Sequence, residues 1–133
     1  MSGTRADRLE RLQKLQKRKR EMEEWRLAEL NRKAASLAAE TEEILQSLGD
    51  QSLLNGLFLE AKANALRRKE GERAVVRAEA ERAKARLAEA GGIEKRLERI
   101  AGEARSDQTR ADESAALAEI LDGFLISRSA SLE

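Results

Sequence analysis

Apolar residues in the first third of the chain recur at alternating intervals of three and four residues. This spacing is that of a heptad seam along one face of a helix. Upstream of it, a second apolar stripe runs in a different phase. No breaker interrupts residues 5–48, so the pattern predicts one helix there, roughly 65 Å long. The seam consists of Leu27, Leu30, Ala34, Leu37, Thr41, Ile44 and Leu48, and the upstream stripe of Leu9, Leu12, Leu15, Met22 and Trp25.

A stop signal follows this helix in the sequence LGDQS. Gly49 suits the position just past a helix end, and Asp50 or Ser52 can cap a following helix. The signal predicts a turn at 49–52, which Asn55-Gly56 would extend, and a second helix over 53–90. The seam of that helix is rich in alanine, which allows two helix axes to approach closely. It comprises Leu59, Leu66, Val76, Ala80, Ala83, Leu87 and Ala90.

Two long amphipathic helices joined by a short turn predict an antiparallel hairpin. With the bend near residue 50, the numbers of facing residues add to about 100. This register places Trp25 against Val75 and Val76, Leu37 near residues 63–66, and the basic run at 17–20 near Glu81.

The same register places Gly91-Gly92 where the two-stranded region ends. Adjacent glycines in a helix cost roughly 2 kcal/mol relative to alanine, so the pair indicates either a hinge or a tolerated helix defect. A helix is predicted over 93–122 and a frayed tail over 123–133. Ile93, Leu97, Ile100 and Ala104 form a stripe with little or nothing opposite. The whole pattern predicts one all-α domain, an antiparallel two-helix coiled-coil hairpin with a C-terminal helical extension.

Composition narrows the chemistry available to this chain. It contains neither cysteine nor histidine, so thiolate catalysis, an imidazole base and an ordinary zinc site are excluded. Charged residues make up 38 % of it and aromatic residues 2 %, which favours long helices with a thin seam over a globular core. No stretch approaches the ~18 apolar residues of a membrane span. We expect a cytoplasmic protein without a cofactor that is not an enzyme.

Positive charge is concentrated at the start of the chain. Residues 1–20 hold eight basic and two acidic side chains, including the run KRKR at 17–20. Such a run can contact phosphate, but four consecutive residues surround the helix, and acidic residues follow at once. A solvated or protein-facing surface is therefore favoured over nucleic acid. The candidate partner-binding residues here are Arg11, Lys14, Lys17 and Arg18.

Two apolar groups, one at the hairpin tip and one near the C-terminus, exceed what a hairpin can bury and are further candidates for partner binding. The stripe that follows the glycine pair is another candidate, because little or nothing lies opposite it. For the C-terminal group, docking of a partner and self-burial, by folding back or by pairing of two chains, remain open alternatives. The residues are Leu53, Leu54, Leu57 and Phe58, then Ile93, Leu97 and Ile100, and finally Leu121 and Phe124.

A basic RLERLQKLQKRKREMEE opens the chain, and an alanine-rich return helix leads to IEKRLERIAGEARSDQTRADESAALAEILD. This closing part contains Glu94, Leu97, Glu98 and Arg99, followed by residues 118–122. The arrangement of segments resembles the FliJ/YscO family of coiled-coil proteins from flagellar and type III export machines, and these residues are similar to closing elements of that family. The resemblance implies a stalk whose terminal end inserts into the hexameric export ATPase ring. Its other part would contact the export gate or export chaperones.

Two other functions compete with this interpretation. The first is a generic helical scaffold or chaperone-like protein that binds an unknown protein through its apolar ends. The second is a nucleic-acid or anionic-surface binder that uses the basic N-terminal turns, whose binding would fall steeply with salt.

Overall fold

The computed structural model describes residues 3–49 and 58–131, and in that part of the chain the fold is made of two α-helices. Helix α1 spans Arg5–Leu48, as the sequence predicts. It begins there because Thr4 caps it: the Thr4 Oγ1 accepts a hydrogen bond from the Asp7 amide at 3.1 Å. It ends where the Gly49 amide donates to the Gln46 carbonyl at 3.1 Å, the tighter geometry of a last turn.

Helix α2 spans Leu59–Ser131 and is longer than either helix predicted for this region. The predicted helix start at residue 53 and the turn positions 50–52 lie outside the described residues, as do Leu53, Leu54 and Leu57. At the other end, residues 123–131, for which the sequence predicts fraying, continue the helix.

Gly91 and Gly92 lie within α2 and do not interrupt it. Neither glycine has a positive φ, so neither uses a conformation that is closed to other residues. The sequence predicts a hinge or a tolerated defect at this pair, and the observed backbone is ordinary helix. The residues before and after it keep the same pattern of exposed and inward positions.

The contacts of the chain group into two compact units, where the sequence predicts a single domain. We call them the central unit (Arg18–Gly91) and the terminal unit (Met1–Lys17 with Gly92–Glu133). The boundary in α2 falls between Gly91 and Gly92.

In the central unit the two helices pack against each other in antiparallel order. Three side-chain contacts define the register: Lys62 Nζ to the Ser47 carbonyl at 3.4 Å, Lys69 to Glu40 at 2.6 Å, and Arg86 to Glu23 at 3.3 Å. The residue numbers add to 109 in each pair, so the predicted sum of about 100 is wrong by nine. Leu48, the last residue of α1, and Leu59, the first residue of α2, themselves add to 107, close to the observed value.

Trp25 does not pack against the residues that the sequence predicts for it. Its side chain is 66 % exposed, whereas Val76 is only 2 % exposed, so the predicted packing of Trp25 on Val75 and Val76 is wrong. Val75 and Val76 instead border one groove with Lys33. The other pairings predicted from the sum of 100 move by the same amount.

Along each helix, one set of residues recurs at alternating intervals of three and four, and every member of the set is buried or half-buried. We call these residues the inward positions. All seven residues of the predicted α1 seam over 27–48 are among these buried or half-buried positions. In α1 the inward positions are Ala6, Leu9, Gln13, Gln16, Arg20, Glu23, Leu27, Leu30, Ala34, Leu37, Thr41, Ile44 and Leu48. In α2 they are Lys62, Leu66, Lys69, Arg73, Val76, Ala80, Ala83, Leu87, Ala90, Glu94, Leu97, Ala101, Ala104 and Gln108.

Apart from Leu9, the residues of the upstream apolar stripe of α1 do not face inward. Polar side chains occupy the inward positions between residues 13 and 23, in unbroken phase with the downstream seam. As a result Leu12, Leu15, Met22 and Trp25 are at least half exposed. The different phase of the upstream stripe therefore reflects a change in the type of side chain at the inward positions. The spacing of those positions does not change.

Small side chains dominate what is buried. Among the described residues the buried apolar side chains are Ala6, Leu37, Val76, Ala83, Ala90, Ala101 and Ala104. Alanine at five of these seven positions loses almost no side-chain entropy on burial but removes little apolar surface from water. The packing therefore depends on many small contacts. The desolvation cost of a single buried polar group is then large relative to the stabilisation that each contact provides.

Thr41 is such a group. It is 7 % exposed, and its Oγ1 is buried without a hydrogen-bond partner among the described residues. Replacing Thr41 with Val removes an unsatisfied hydroxyl at nearly constant shape. We expect Thr41→Val to raise the free energy of unfolding by about 1 kcal/mol, measured by urea denaturation.

The matched control is Thr109→Val. Thr109 is exposed, and its hydroxyl donates to the Arg105 carbonyl at 3.0 Å, so we expect a change within about 0.5 kcal/mol. Equal effects of the two substitutions would show that the Thr41 hydroxyl carries no desolvation cost.

The glycine pair gives a second expectation about stability. A methyl group at Gly91 would meet nothing within 4 Å, and one at Gly92 would lie 3.8 Å from Arg96 Nη1. We therefore expect Gly91→Ala with Gly92→Ala to stabilise the chain by roughly 1–2 kcal/mol, seen as a higher melting temperature. Ala88→Gly, at an exposed position of the same helix, should lower it. A double variant that melts below the parent would contradict this account.

Candidate partner-binding surfaces

In the terminal unit one arginine fixes the first turns of α1 on α2. The Arg105 guanidinium donates to Asp7 Oδ1 at 2.7 Å, and to both carboxylate oxygens of Glu10 at 2.8 and 2.9 Å. Paired contacts of this kind suit the planar fork of arginine. We call these three residues the Arg105 clamp.

The clamp changes the predicted role of the stripe that follows the glycine pair. Residues 93–104 have the start of α1 beside them, so the expectation of little or nothing opposite is wrong. Ala101 and Ala104 are buried, and Ile93, Leu97 and Ile100 are half-buried. These three residues thus lie on a part of α2 that has the first turns of α1 beside it, held there by the Arg105 clamp. Their predicted role in partner binding stays a prediction.

The charges of the clamp stabilise one another. The pKa of Asp7 is lowered by a hydrogen bond with Thr4 and then by the hydrogen bond from Arg105. The pKa of Glu10 is lowered mainly by the hydrogen bond from Arg105. The two carboxylates, Glu10 first, in turn raise the pKa of the Arg105 guanidinium. All three groups hold their charges more firmly than they would in an unfolded chain.

The predicted basic residues are all exposed. Arg11, Lys14 and Lys17 lie on the α1 segment of the terminal unit, and Arg18 lies in the central unit. Lys14 and Lys17 border a shallow polar depression together with Glu10, Gln13 and Glu94. We call the exposed side chains of the terminal-unit segment of α1 the basic surface; they are Arg5, Arg8, Arg11, Leu12, Lys14, Leu15 and Lys17.

The central unit contains an apolar surface that the sequence analysis did not identify. Met22 and Trp25 are exposed and line a depression with Arg18 and Arg26. A signal for it was present: Arg20 and Glu23 continue the three-four phase of the downstream seam, which leaves Met22 and Trp25 outside. The predicted tip residue Phe58 is 57 % exposed. Its neighbours Leu53, Leu54 and Leu57 lie outside the described residues.

The last part of α2 extends beyond the inward seam. Every residue of 109–131 is exposed, and we call this stretch the C-terminal segment. Leu121 and Phe124, both predicted as binding residues, lie here and are more than half exposed. With Leu117 and Ile120 they share one helix face, by their spacing of three and four residues. We call these four residues the C-terminal stripe.

The clamp gives an expectation about pH. Because the pKa values of Asp7 and Glu10 are lowered in the fold, their contribution to stability is complete above their ordinary values of 3.8 and 4.5. It is lost as the pH falls through the lower values of the folded state. Arg105→Gln should therefore lower the melting temperature at pH 6, and the difference from the parent should shrink towards pH 2.

Arg99→Gln is the control, because Arg99 is an exposed arginine of the same helix segment. It should change the melting temperature little at either pH. A difference for Arg105→Gln that is equally large at both pH values would contradict the role of the two carboxylates.

Neither helix, over the residues that the structure describes, has a segment both long and apolar enough to cross a lipid bilayer. In the same residues no group of three or more acidic, histidine or cysteine side chains is placed to hold a metal ion. No protein-family model, curated protein or solved structure matches the chain.

Proposed function

We propose that this chain is a non-enzymatic coiled-coil component of a bacterial flagellar or type III protein export apparatus. In this proposal it acts as a stalk or adaptor for the export ATPase. It does so as an antiparallel coiled-coil hairpin with a C-terminal helical extension, peripheral to the membrane-bound apparatus on its cytoplasmic side. The export gate or export chaperones are further partners implied by the family resemblance.

The regular inward spacing supports the coiled-coil part of this proposal. Alternation by three and four residues is the period at which two helices keep their seams in contact along their length. Alanine at Ala83 and Ala90 permits the helices to approach closely there. Ion pairs between the two helices, such as Lys69 with Glu40, help to fix their orientation. The pKa of Lys69 is raised chiefly by its hydrogen bond with Glu40.

The basic surface is the observation that carries the functional part of the proposal. Its cations and the two leucines Leu12 and Leu15 are exposed, while the Arg105 clamp holds the same helix segment in place. A rigid helix that presents cations and apolar side chains together fits an acidic protein surface with apolar pockets. The lumen of an ATPase ring with complementary charge would guide docking, and would affect association rate and specificity more than affinity.

A generic helical scaffold is the second candidate, and the C-terminal stripe favours it. An exposed apolar helix face is a common protein-binding surface, which needs no ATPase. The two functions differ in one measurable respect: only a stalk is expected to change the turnover of an export ATPase.

The test is a pull-down with a purified export ATPase, followed by its rate of ATP hydrolysis. We expect the parent chain to bind and to change this rate. Lys14→Glu with Lys17→Glu reverses two charges of the basic surface and should weaken binding by roughly tenfold at low ionic strength. The loss should become smaller as salt is added, because both lysines are exposed.

Lys33→Glu with Lys84→Glu is the matched control. It reverses the same number of exposed lysines in the central unit and should leave binding unchanged. Equal losses for the two double variants would mean that net charge, and not the basic surface, governs binding. Absence of both binding and a change in hydrolysis would remove the stalk proposal in favour of the scaffold.

A further inference from the structure

The C-terminal stripe is flanked by two opposite charges on its own helix face. Glu113 lies four residues before Leu117, and Arg128 lies four residues after Phe124, so each is one turn beyond the stripe. Both side chains are exposed, and neither forms an ion pair with another described residue. Along the helix, this face therefore carries an acidic residue, then four apolar residues, then a basic residue.

The remaining acids of this segment lie elsewhere around the helix. At 100° per residue, Glu119 and Asp122 are each displaced by well over 90° from the centre of the stripe. Asp112 is displaced in the same way. The stripe is thus bordered by charge at its two ends, and along its sides by small or polar residues and by the exposed Leu125. An occupant of this face meets an acid at one end and a base at the other.

A second copy of the same segment, running in the opposite direction, satisfies this pattern. When residue numbers across the pair add to 241, Leu117 faces Phe124 of the other copy and Ile120 faces Leu121. The same register sets Glu113 opposite Arg128 at both ends. Apolar side chains then meet apolar ones, and each charge meets its opposite.

A parallel pair lacks this complementarity. It would set Glu113 against Glu113 and Arg128 against Arg128, and like charges at close range oppose association. The charge order of the face therefore selects both the occupant and its direction.

We propose that the C-terminal segment binds a second copy of this chain in antiparallel orientation through Leu117, Ile120, Leu121 and Phe124, with Glu113 and Arg128 paired across the interface. The inference stands apart from the export function, since it uses only this segment. A helix pair of about four turns is at the small end of specific interfaces, so the dimer dissociates in the micromolar range. Monomer and dimer then exchange with concentration, which leaves the stripe available to a competing protein.

Sedimentation velocity of the full chain over a range from about 1 μM to several hundred micromolar tests the proposal. The parent chain should shift from monomer to dimer across that range. Leu121→Asp places a charge in the centre of the stripe and should weaken dimerisation by at least about a hundredfold. Circular dichroism of each variant confirms that the helices are retained, since the substituted residues are exposed.

Charge reversal tests the orientation. Glu113→Arg alone and Arg128→Glu alone should each weaken dimerisation by roughly tenfold, because each reversal acts at both ends of the pair. The double variant, Glu113→Arg with Arg128→Glu, restores opposite charges across an antiparallel interface and should return to nearly the parent affinity. Glu119→Arg makes the same change of charge on the other side of the helix and should leave dimerisation unchanged.

Each other outcome overturns the proposal. A parent chain that stays monomeric throughout the range excludes the second copy as occupant. A dimer that survives Leu121→Asp uses another surface. Single reversals without effect, or a double variant as weak as the single ones, rule out the antiparallel pairing of Glu113 with Arg128.

Discussion

The constraint on which this structure depends is the alternation of inward positions by three and four residues along two helices. The alternation keeps one face of each helix turned inward, whatever side chains occupy it. Alanine fills much of that face in α2, so the helices can approach closely but bury little apolar area. Stability is then distributed over many weak contacts, and polar inward residues such as Thr41 and Glu23 are tolerated only at specific places.

Ion pairs between the two helices add to the packing along the thin seam. Arg86 with Glu23 and Lys69 with Glu40 lie across the helices of the central unit, and the Arg105 clamp does the same in the terminal unit. Ion pairs of this exposure contribute modestly to stability, but each is satisfied in one register only. They therefore specify the alignment of an alanine-rich seam, which by itself would pack similarly if it slipped by seven residues.

The two proposed binding surfaces consist of side chains that lie outside the seam. Because polar residues hold the inward positions near the start of α1, its leucines and cations are exposed together as the basic surface. Because α2 continues past the clamp, the C-terminal stripe is exposed as well. The two surfaces differ in character: one offers many cations around a few leucines, and the other offers four large apolar side chains between two opposite charges. An acidic protein partner suits the first, and a second copy suits the other.

The sequence by itself determined the all-helical fold, the bounds of α1, and the seam over residues 27–48, because these depend on local helix propensity, capping and spacing. It also identified the exposed cations and the apolar residues Leu121 and Phe124. The register could be read only from contacts between the helices. Spacing repeats every seven residues and cannot distinguish one alignment from its neighbours, whereas Arg105 meets Asp7 and Glu10 in only one. That Ile93, Leu97 and Ile100 are half-buried depends on the first turns of α1 beside them, which spacing within α2 does not reveal.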